Sequence, residues 1–433
     1  MRLVVFSDGP SVPTGFGVVV RNIFASLFAS GRLTSDDVAF FAINYGGDWT
    51  PDSGQFRMWP AKVGLGNDPD PYGRQRFMQM MLGGAWPCDV LFLVQDHFTV
   101  APFLPQLVQE MRKQVAAGQR PPFRVVQYIP IDGHTLRPEW VSWIPDVVDY
   151  PVAYMHWAAE RLLSMVPALR DRLSVIYHGT NPDAFRPLPE VERQAFRQQA
   201  LGVAPTQPLV TWVNRNQPRK DPAAALQIFR RVLNRYPTAV MYLHCNIADA
   251  MGFNLELVRQ ELRIPATSVR FPQNFSEGVG VSVEVLNRVY GAGDLFLTTA
   301  KGEGFGLTVP ENMCTGTPCL APRHSAFAEI LADGRGLLVD PLPHGSILPF
   351  DNDQLRPLPN IDAMADAACW AIEHRDEARA IGQRGMDWAR QIPWSAIASE
   401  WWRVFTAAEA SLRPMAPAPS PAPYALRAEA IPA

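Results

Sequence analysis

A chain of 433 residues exceeds what one hydrophobic core ordinarily supports, so two domains are expected; 47% hydrophobic and 19% charged residues exclude a fibrous or collagen-like protein. The formal net charge of -3 gives no global attraction to nucleic acid or anionic lipid, so charge does not favour nucleic acid as a partner, although a local basic groove is invisible in such a sum. Cys88, Cys245, Cys314, Cys319 and Cys369 form no CxxC pair and lie in apolar surroundings, which fits buried thiols in a reducing compartment.

The first apolar run, Arg2 to Phe6, is cut off by Ser7 and Asp8 and is too short for a secretion signal. No stretch approaches bilayer length, so a cytoplasmic protein with at most peripheral membrane contact is expected. Leu3 to Phe6 reads as a strand, followed by a Gly-containing loop and a helix with Val20, Ile23, Phe24, Leu27 and Phe28 on one face and Gly31 as its C-cap. Further strands are expected at Val38 to Ile43, Val90 to Val94, Val125 to Pro130 and Leu173 to Tyr177. A Pro-punctuated, charged stretch from Phe185 to Gln207 interrupts this rhythm, which restarts with a strand at Leu209 to Asn214 and a helix at about Asp221 to Arg235. Strands at Val240 to His244, Leu295 to Thr298 and Pro318 to Ala321 continue it. The fold class is therefore α/β: two Rossmann-like, doubly wound domains facing a central cleft, with ligand loops at the carboxyl ends of the strands. The expected division is a first domain over 1–185, a linker over 186–207, a second domain over 208–393, a terminal helix over 394–411 and a Pro/Ala-rich, disordered tail over 412–433.

The segment after Leu295 to Thr298 carries the most chemistry: Lys301-Gly-Glu-Gly-Phe-Gly-Leu-Thr-Val-Pro-Glu311. Gly302, Gly304 and Gly306 let backbone approach a ligand, and a helix starting near Leu307 or Thr308 aims N–H groups at an anion, the design of a phosphate site. Glu303 and Glu311 can face the same ligand, where sugar hydroxyls are the neutral donors a carboxylate can accept beside a diphosphate. The competing reading makes Glu311 a cap and Glu303 a solvated loop residue. Arg215 and Lys220, in the loop after Leu209 to Asn214, could neutralise a diphosphate, Arg215 as a planar fork and Lys220 as a point charge, with Arg219 as their neighbour. A plain solvated loop is the alternative.

In the first half, Pro13-Thr-Gly15-Phe-Gly17 could bring backbone to a phosphate, but it lacks the third glycine of G-x-G-x-x-G, which argues against a nicotinamide cofactor. Asp96 and His97 follow the Val90 strand, Asp132 and His134 the Val125 strand, and His178 lies near the end of the first domain. Each is either a cleft residue or structural, Asp96 and Asp132 as caps and His178 as a packed histidine. Asp68-Pro-Asp70 has the form of a metal-binding D-x-D but sits in a Gly/Pro-rich loop and is discounted.

The run Glu303-Gly-Phe-Gly-Leu, Glu311 and Gly316-Thr-Pro, with Arg215 and Lys220 upstream, closely resembles the signature of glycosyltransferase family 4, the group 1 glycosyltransferases of GT-B fold. The resemblance implies a glycosyltransferase that moves a sugar from a nucleotide-diphosphate sugar to an acceptor hydroxyl with retention of configuration and without a metal or other cofactor. It implies Arg215 and Lys220 on the diphosphate, Glu303 on the donor sugar and Glu311 on the ribose hydroxyls. Gly304, Phe305, Gly306, Leu307 and Thr308 belong to the same donor site, with Gly15 and Gly17 beside the phosphates. It also implies that the terminal helix bearing Trp394, Trp401 and Trp402 crosses back to brace the first domain. A first-domain histidine common in the family is replaced by Asp132 or displaced to His134, which leaves the catalytic assignment there open. The alternatives are an epimerase or hydrolase using the same nucleotide-sugar site, or a catalytically silent nucleotide-sugar-binding subunit; the acceptor is not legible.

Overall fold

A computed structural model of the protein describes residues 1–47, 54–62, 70–272, 280–348, 351 and 353–412. Asp68 of the D-x-D and residues 413–433 of the expected tail lie outside the described residues. The chain groups into two compact units: unit 1 holds Met1–Ile131, Leu136–His178 and the chain from Trp394, and unit 2 holds Asp132–Thr135 and Gly179–Pro393.

Unit 1 is built on a seven-stranded sheet of β1 (Leu3–Asp8), β2 (Val38–Ile43), β3 (Met58–Pro60), β4 (Val90–Val94), β5 (Arg124–Ile129), β6 (Tyr150–Ala153) and β7 (Ser174–Val175), in the order β3-β2-β1-β4-β5-β6-β7. All pairings are parallel. Its central strands are near-continuous apolar runs, because helices cover both faces of a parallel sheet. The helix Gly15–Ala29 buries Val20, Ile23, Phe24 and Leu27, the stripe that the helical spacing predicts, and Gly31 at φ 68° ends it. The terminal helix Trp394–Ala410 packs within unit 1, Trp401 against Phe92 and Tyr128 with ring centroids 4.8 and 4.6 Å apart.

Unit 2 has β8 (Leu209–Val213), β9 (Val240–His244), β10 (Val269–Arg270), β11 (Leu295–Leu297), β12 (Cys319–Pro322) and β13 (Leu337–Val339), in the order β10-β9-β8-β11-β12-β13, again all parallel. Counted from its own first strand this is the 3-2-1-4-5-6 order of a Rossmann sheet. The order reverses between β8 and β11, and the crevice outside their carboxyl ends is where such a sheet takes a ligand. An antiparallel hairpin, β14 (Gly345–Ile347) and β15 (Leu355–Pro357), follows the sheet.

Residues 186–207, expected as a linker, are part of unit 2. They contain the helix Glu190–Gln199, and its Arg193 and Arg197 reach Asp294 at 2.6 and 3.1 Å. Arg197 is only 1% exposed. Arginines rather than an apolar stripe anchor this helix, so its composition resembles that of a connector. Among the described residues no helix is long and apolar enough to cross a membrane, and the five cysteines are buried and form no disulfide.

Candidate functional site

The two loops flanking the reversal in unit 2 are joined by backbone and side-chain bonds. After β8 the chain turns, with Lys220 N and Asp221 N donating to Gln217 O at 3.0 and 3.1 Å, and Asp221 sits in the left-handed region at φ 51°. Asp tolerates that conformation, and its carboxylate accepts from Ala224 N at 3.1 Å, capping the helix Pro222–Arg235 with proline at the first helical position. Asp221 also pairs with Lys301 of the loop after β11 at 2.8 Å. Lys301 N donates to Arg219 O at 2.7 Å, and Thr299 Oγ1 donates to the carbonyls of Lys220 and Asp221 at 3.0 and 2.8 Å.

This stitching brings cations to Glu303. Lys220 Nζ contacts Glu303 Oε1 directly, and Arg219 Nη1 lies 3.4 Å from Oε2 while donating to Gly302 O at 2.5 Å. Burial opposes the Glu303 charge, but Lys220 and Arg219 outweigh it and hold the carboxyl below its ordinary range. Burial lowers the Lys220 ammonium, with Glu303 opposing, whereas the surrounding carboxylates raise Arg219 against its own burial. Glu303 N donates to Ser325 Oγ at 3.2 Å, and a Cβ on Gly306, at φ 77°, would lie 3.3 Å from Glu303 Cγ.

Glu311, in the first turn of the helix Thr308–Cys314, accepts from the buried Tyr290 hydroxyl at 2.9 Å. Glu311 is partly exposed and oriented by its partner, an arrangement suited to receiving hydrogen bonds from ligand hydroxyls. Leu307 caps this helix without a side-chain bond, and Phe305 is buried beneath the loop.

Within this setting, residues 193–346 match the family of glycosyl transferases group 1. That segment, with the relatives below, makes the chain similar to the group 1 glycosyl transferases. One relative, the D-inositol 3-phosphate glycosyltransferase of Nocardia farcinica, is 30% identical over 239 residues, which cover 53% of this chain and 51% of that protein. Another of the same name, from Mycolicibacterium smegmatis, is 26% identical over 347 residues, 78% of this chain and 69% of that protein. The chain spans about half the length, or less, of the relatives it matches at 30% identity or above. The sucrose-phosphate synthase of Thermosynechococcus elongatus has a TM-score of 0.70 at 18% identity, over 95% of this chain and 100% of that one. Anabaena HepE in complex with UDP and glucose has a TM-score of 0.67 at 16% identity, over 94% and 100%. These likenesses show the fold, that of the GT-B glycosyltransferases.

The structure gives the two expected cations different carboxylate partners. Lys220 meets Glu303, but Arg215 Nε pairs with the buried Asp249 at 2.9 Å, and Arg219, set down as a neighbour, takes the second place on Glu303. Asp132 faces Arg356 at 3.2 Å and Arg219 at 3.5 Å, so its carboxylate stands between two guanidinium groups. His134 is exposed. Tyr290, Asp249, Ser325 and Arg356 were missed; Tyr290 sits on an apolar helical stripe and reads as core, and the others share no local motif with the residues they touch.

In unit 1, Thr14 Oγ1 donates to Asp8 Oδ2 at 2.5 Å and accepts from Gly17 N at 3.1 Å, which closes the glycine loop on the end of β1. A Cβ on Gly17 would lie 2.3 Å from Val12 O, whereas one on Gly15 would meet nothing within 4 Å. Gly17 therefore serves the loop itself, and Gly15 leaves open space. Burial raises the Asp8 carboxyl despite bonds from Thr14, Asn44 and Gln95. Asp96 precedes the short helix His97–Val100, and the buried His97 lies 3.1 Å from Pro130 O through Nδ1. His178 is packed among Tyr128, Tyr154 and Trp394, and burial lowers it to about 3. Tyr128 gives its hydroxyl proton to Ile176 O at 2.6 Å, so His178 Nδ1, 2.9 Å away, is the donor of that pair. Asp70 accepts from Gln75 N at 2.7 Å beside the helix Arg74–Leu82, and among the described residues no group of His, Cys, Asp and Glu could hold a metal.

Proposed function

We propose that this protein moves a glycosyl group from a nucleotide-diphosphate sugar to an acceptor hydroxyl, with retention of anomeric configuration and without a metal. The observation that carries the reading is the Lys220–Glu303–Arg219 cluster at the topological reversal of the sheet, inside the segment matched by the family. A leaving diphosphate gains negative charge in the transition state, and fixed cations already in place stabilise it without reorganising. Lys220 turns from Glu303 to the phosphates when donor binds, which leaves a Glu303 oxygen to accept from a sugar hydroxyl. Arg215 adds a second cation, and Glu311, oriented by Tyr290, accepts from the ribose. Retention follows if the departing diphosphate oxygen takes the acceptor's proton on the face it leaves.

The Anabaena neighbour, solved with UDP-glucose, supports UDP-sugars as the first donors to try. The test is a panel of nucleotide sugars incubated in EDTA with and without cell-extract acceptors, read by nucleotide release and by the anomeric configuration of the product. Acceptor-dependent release is expected. Full turnover without acceptor would replace this reading with a hydrolase or epimerase, and strict dependence on a divalent cation would remove the metal-free mechanism.

A further inference from the structure

The hairpin β14–β15 buries its charge and exposes its apolar side chains. Arg356 is 1% exposed, while the cross-strand pair Ile347 and Leu355 are 61% and 52% exposed. Hydrophobic burial of these residues does not hold the hairpin in place; the guanidinium does. It grips Asp351 in a bidentate pair at 2.6 and 3.0 Å and donates to the Asp132 carbonyl at 2.6 Å and its carboxylate at 3.2 and 3.3 Å. Asp132 faces Arg219, and Arg219 faces Glu303. Asp351, Arg356, Asp132, Arg219, Glu303 and Lys220 thus alternate in sign along one continuous line.

Two glycines make room for it. A Cβ on Gly302 would lie 2.1 Å from Asp132 O and 2.5 Å from Arg356 Nη1, and one on Gly133 would lie 2.7 Å from the same nitrogen. Asp132, Asp351 and Arg356 fall outside residues 193–346, so this half of the line is not part of what matches the family.

We infer that Arg356 is a positioning residue for the donor sugar: by holding Asp132 it sets how Arg219 divides between Asp132 and Glu303, and so where the Glu303 carboxylate stands. The inference rests on the reading of Glu303 as the sugar's acceptor of hydrogen bonds. Without Arg356, Asp132 draws Arg219 away from Glu303. Glu303 then loses its second cation and with it the position that the sugar hydroxyl requires during transfer.

The experiment uses the full chain as wild type, Arg356→Met, Arg356→Lys, and Arg356→Met combined with Asp132→Asn. Melting temperature, UDP binding by calorimetry, and kcat and KM for the nucleotide sugar that the wild type uses are measured on each. Arg356→Met is expected to lose about tenfold in kcat with KM and UDP affinity changed less than about threefold, and Asp132→Asn to restore most of the loss by removing the competitor for Arg219. Lys holds one carboxylate rather than two and gives an intermediate kcat. Wild-type turnover in Arg356→Met, or joint loss of kcat, KM and stability that Asp132→Asn does not relieve, overturns the inference. If Arg356→Met does not fold, Arg356→Lys decides in the same way. If the wild type turns over no nucleotide sugar, the proposed function fails instead. The coupling of Arg356→Met, or Arg356→Lys where Met does not fold, with Glu303→Gln in a double-mutant stability cycle then decides, zero coupling sinking the positioning claim.

Discussion

Glu303 is the residue on which structure and chemistry converge. Its carboxylate is nearly buried and pairs with two cations, so Glu303→Gln takes from Lys220 and Arg219 the charge they share and leaves Arg219 to Asp132. Removing one side of a buried pair costs about 3 kcal/mol, and a loss of that order at neutral pH is expected in chemical denaturation. Because the folded carboxyl is held below its ordinary range, its contribution is full above the unfolded value of about 4.3 and is lost as pH falls through the folded value. The stability gap between wild type and Glu303→Gln should therefore be flat from neutral pH down to about 5 and close in stronger acid. A gap that widens in acid would contradict the assignment of the charges. Glu303 and Lys220 were legible because each lies in a loop at the end of a strand with glycines or charge around it. That Arg219 reaches Glu303 was not, since it depends on the left-handed Asp221 and the turn before it, which spacing alone does not reveal.

At the scale of the element, the strands with long apolar runs could be read from their composition, and so could the helix Pro222–Arg235, whose Asp-Pro start is a capping signal. The two-residue strand β10 and the half-buried β3 and β13 could not, because so few residues carry no periodicity. The hairpin β14–β15 escaped for the opposite reason: its polarity is inverted, so its pattern points away from the fold it adopts. In the glycine loop of unit 1, sequence treats Gly15 and Gly17 alike and structure separates them. Gly17→Ala forces a Cβ against the Val12 and Gly9 carbonyls and should cost about 1–3 kcal/mol, read as a lower melting temperature. Gly15→Ala meets open space and should leave stability unchanged or slightly higher, while lowering turnover if ligand backbone contact occurs there. Equal destabilisation by both substitutions would show that the loop is uniformly packed.

Across the whole molecule, two parallel sheets share the same reversal of strand order, and the segment matching the family spans the whole sheet of unit 2. The alternation of strand and helix made the doubly wound class legible; the membership of Asp132–Thr135 in unit 2 was not, since the segment follows β5 of unit 1 directly in the chain. The central claim is that unit 2 binds the nucleotide diphosphate through cations and the sugar through Glu303. Calorimetry of UDP and of the turned-over UDP-sugar against wild type and Glu303→Ala tests it most directly. Wild type should bind both in EDTA. Glu303→Ala should bind bare UDP as well as wild type or more tightly, because Lys220 no longer has to leave a carboxylate, while the advantage conferred by the sugar falls by about tenfold or more. Absence of UDP binding to the wild type, or equal weakening of both ligands by Glu303→Ala, would contradict the account.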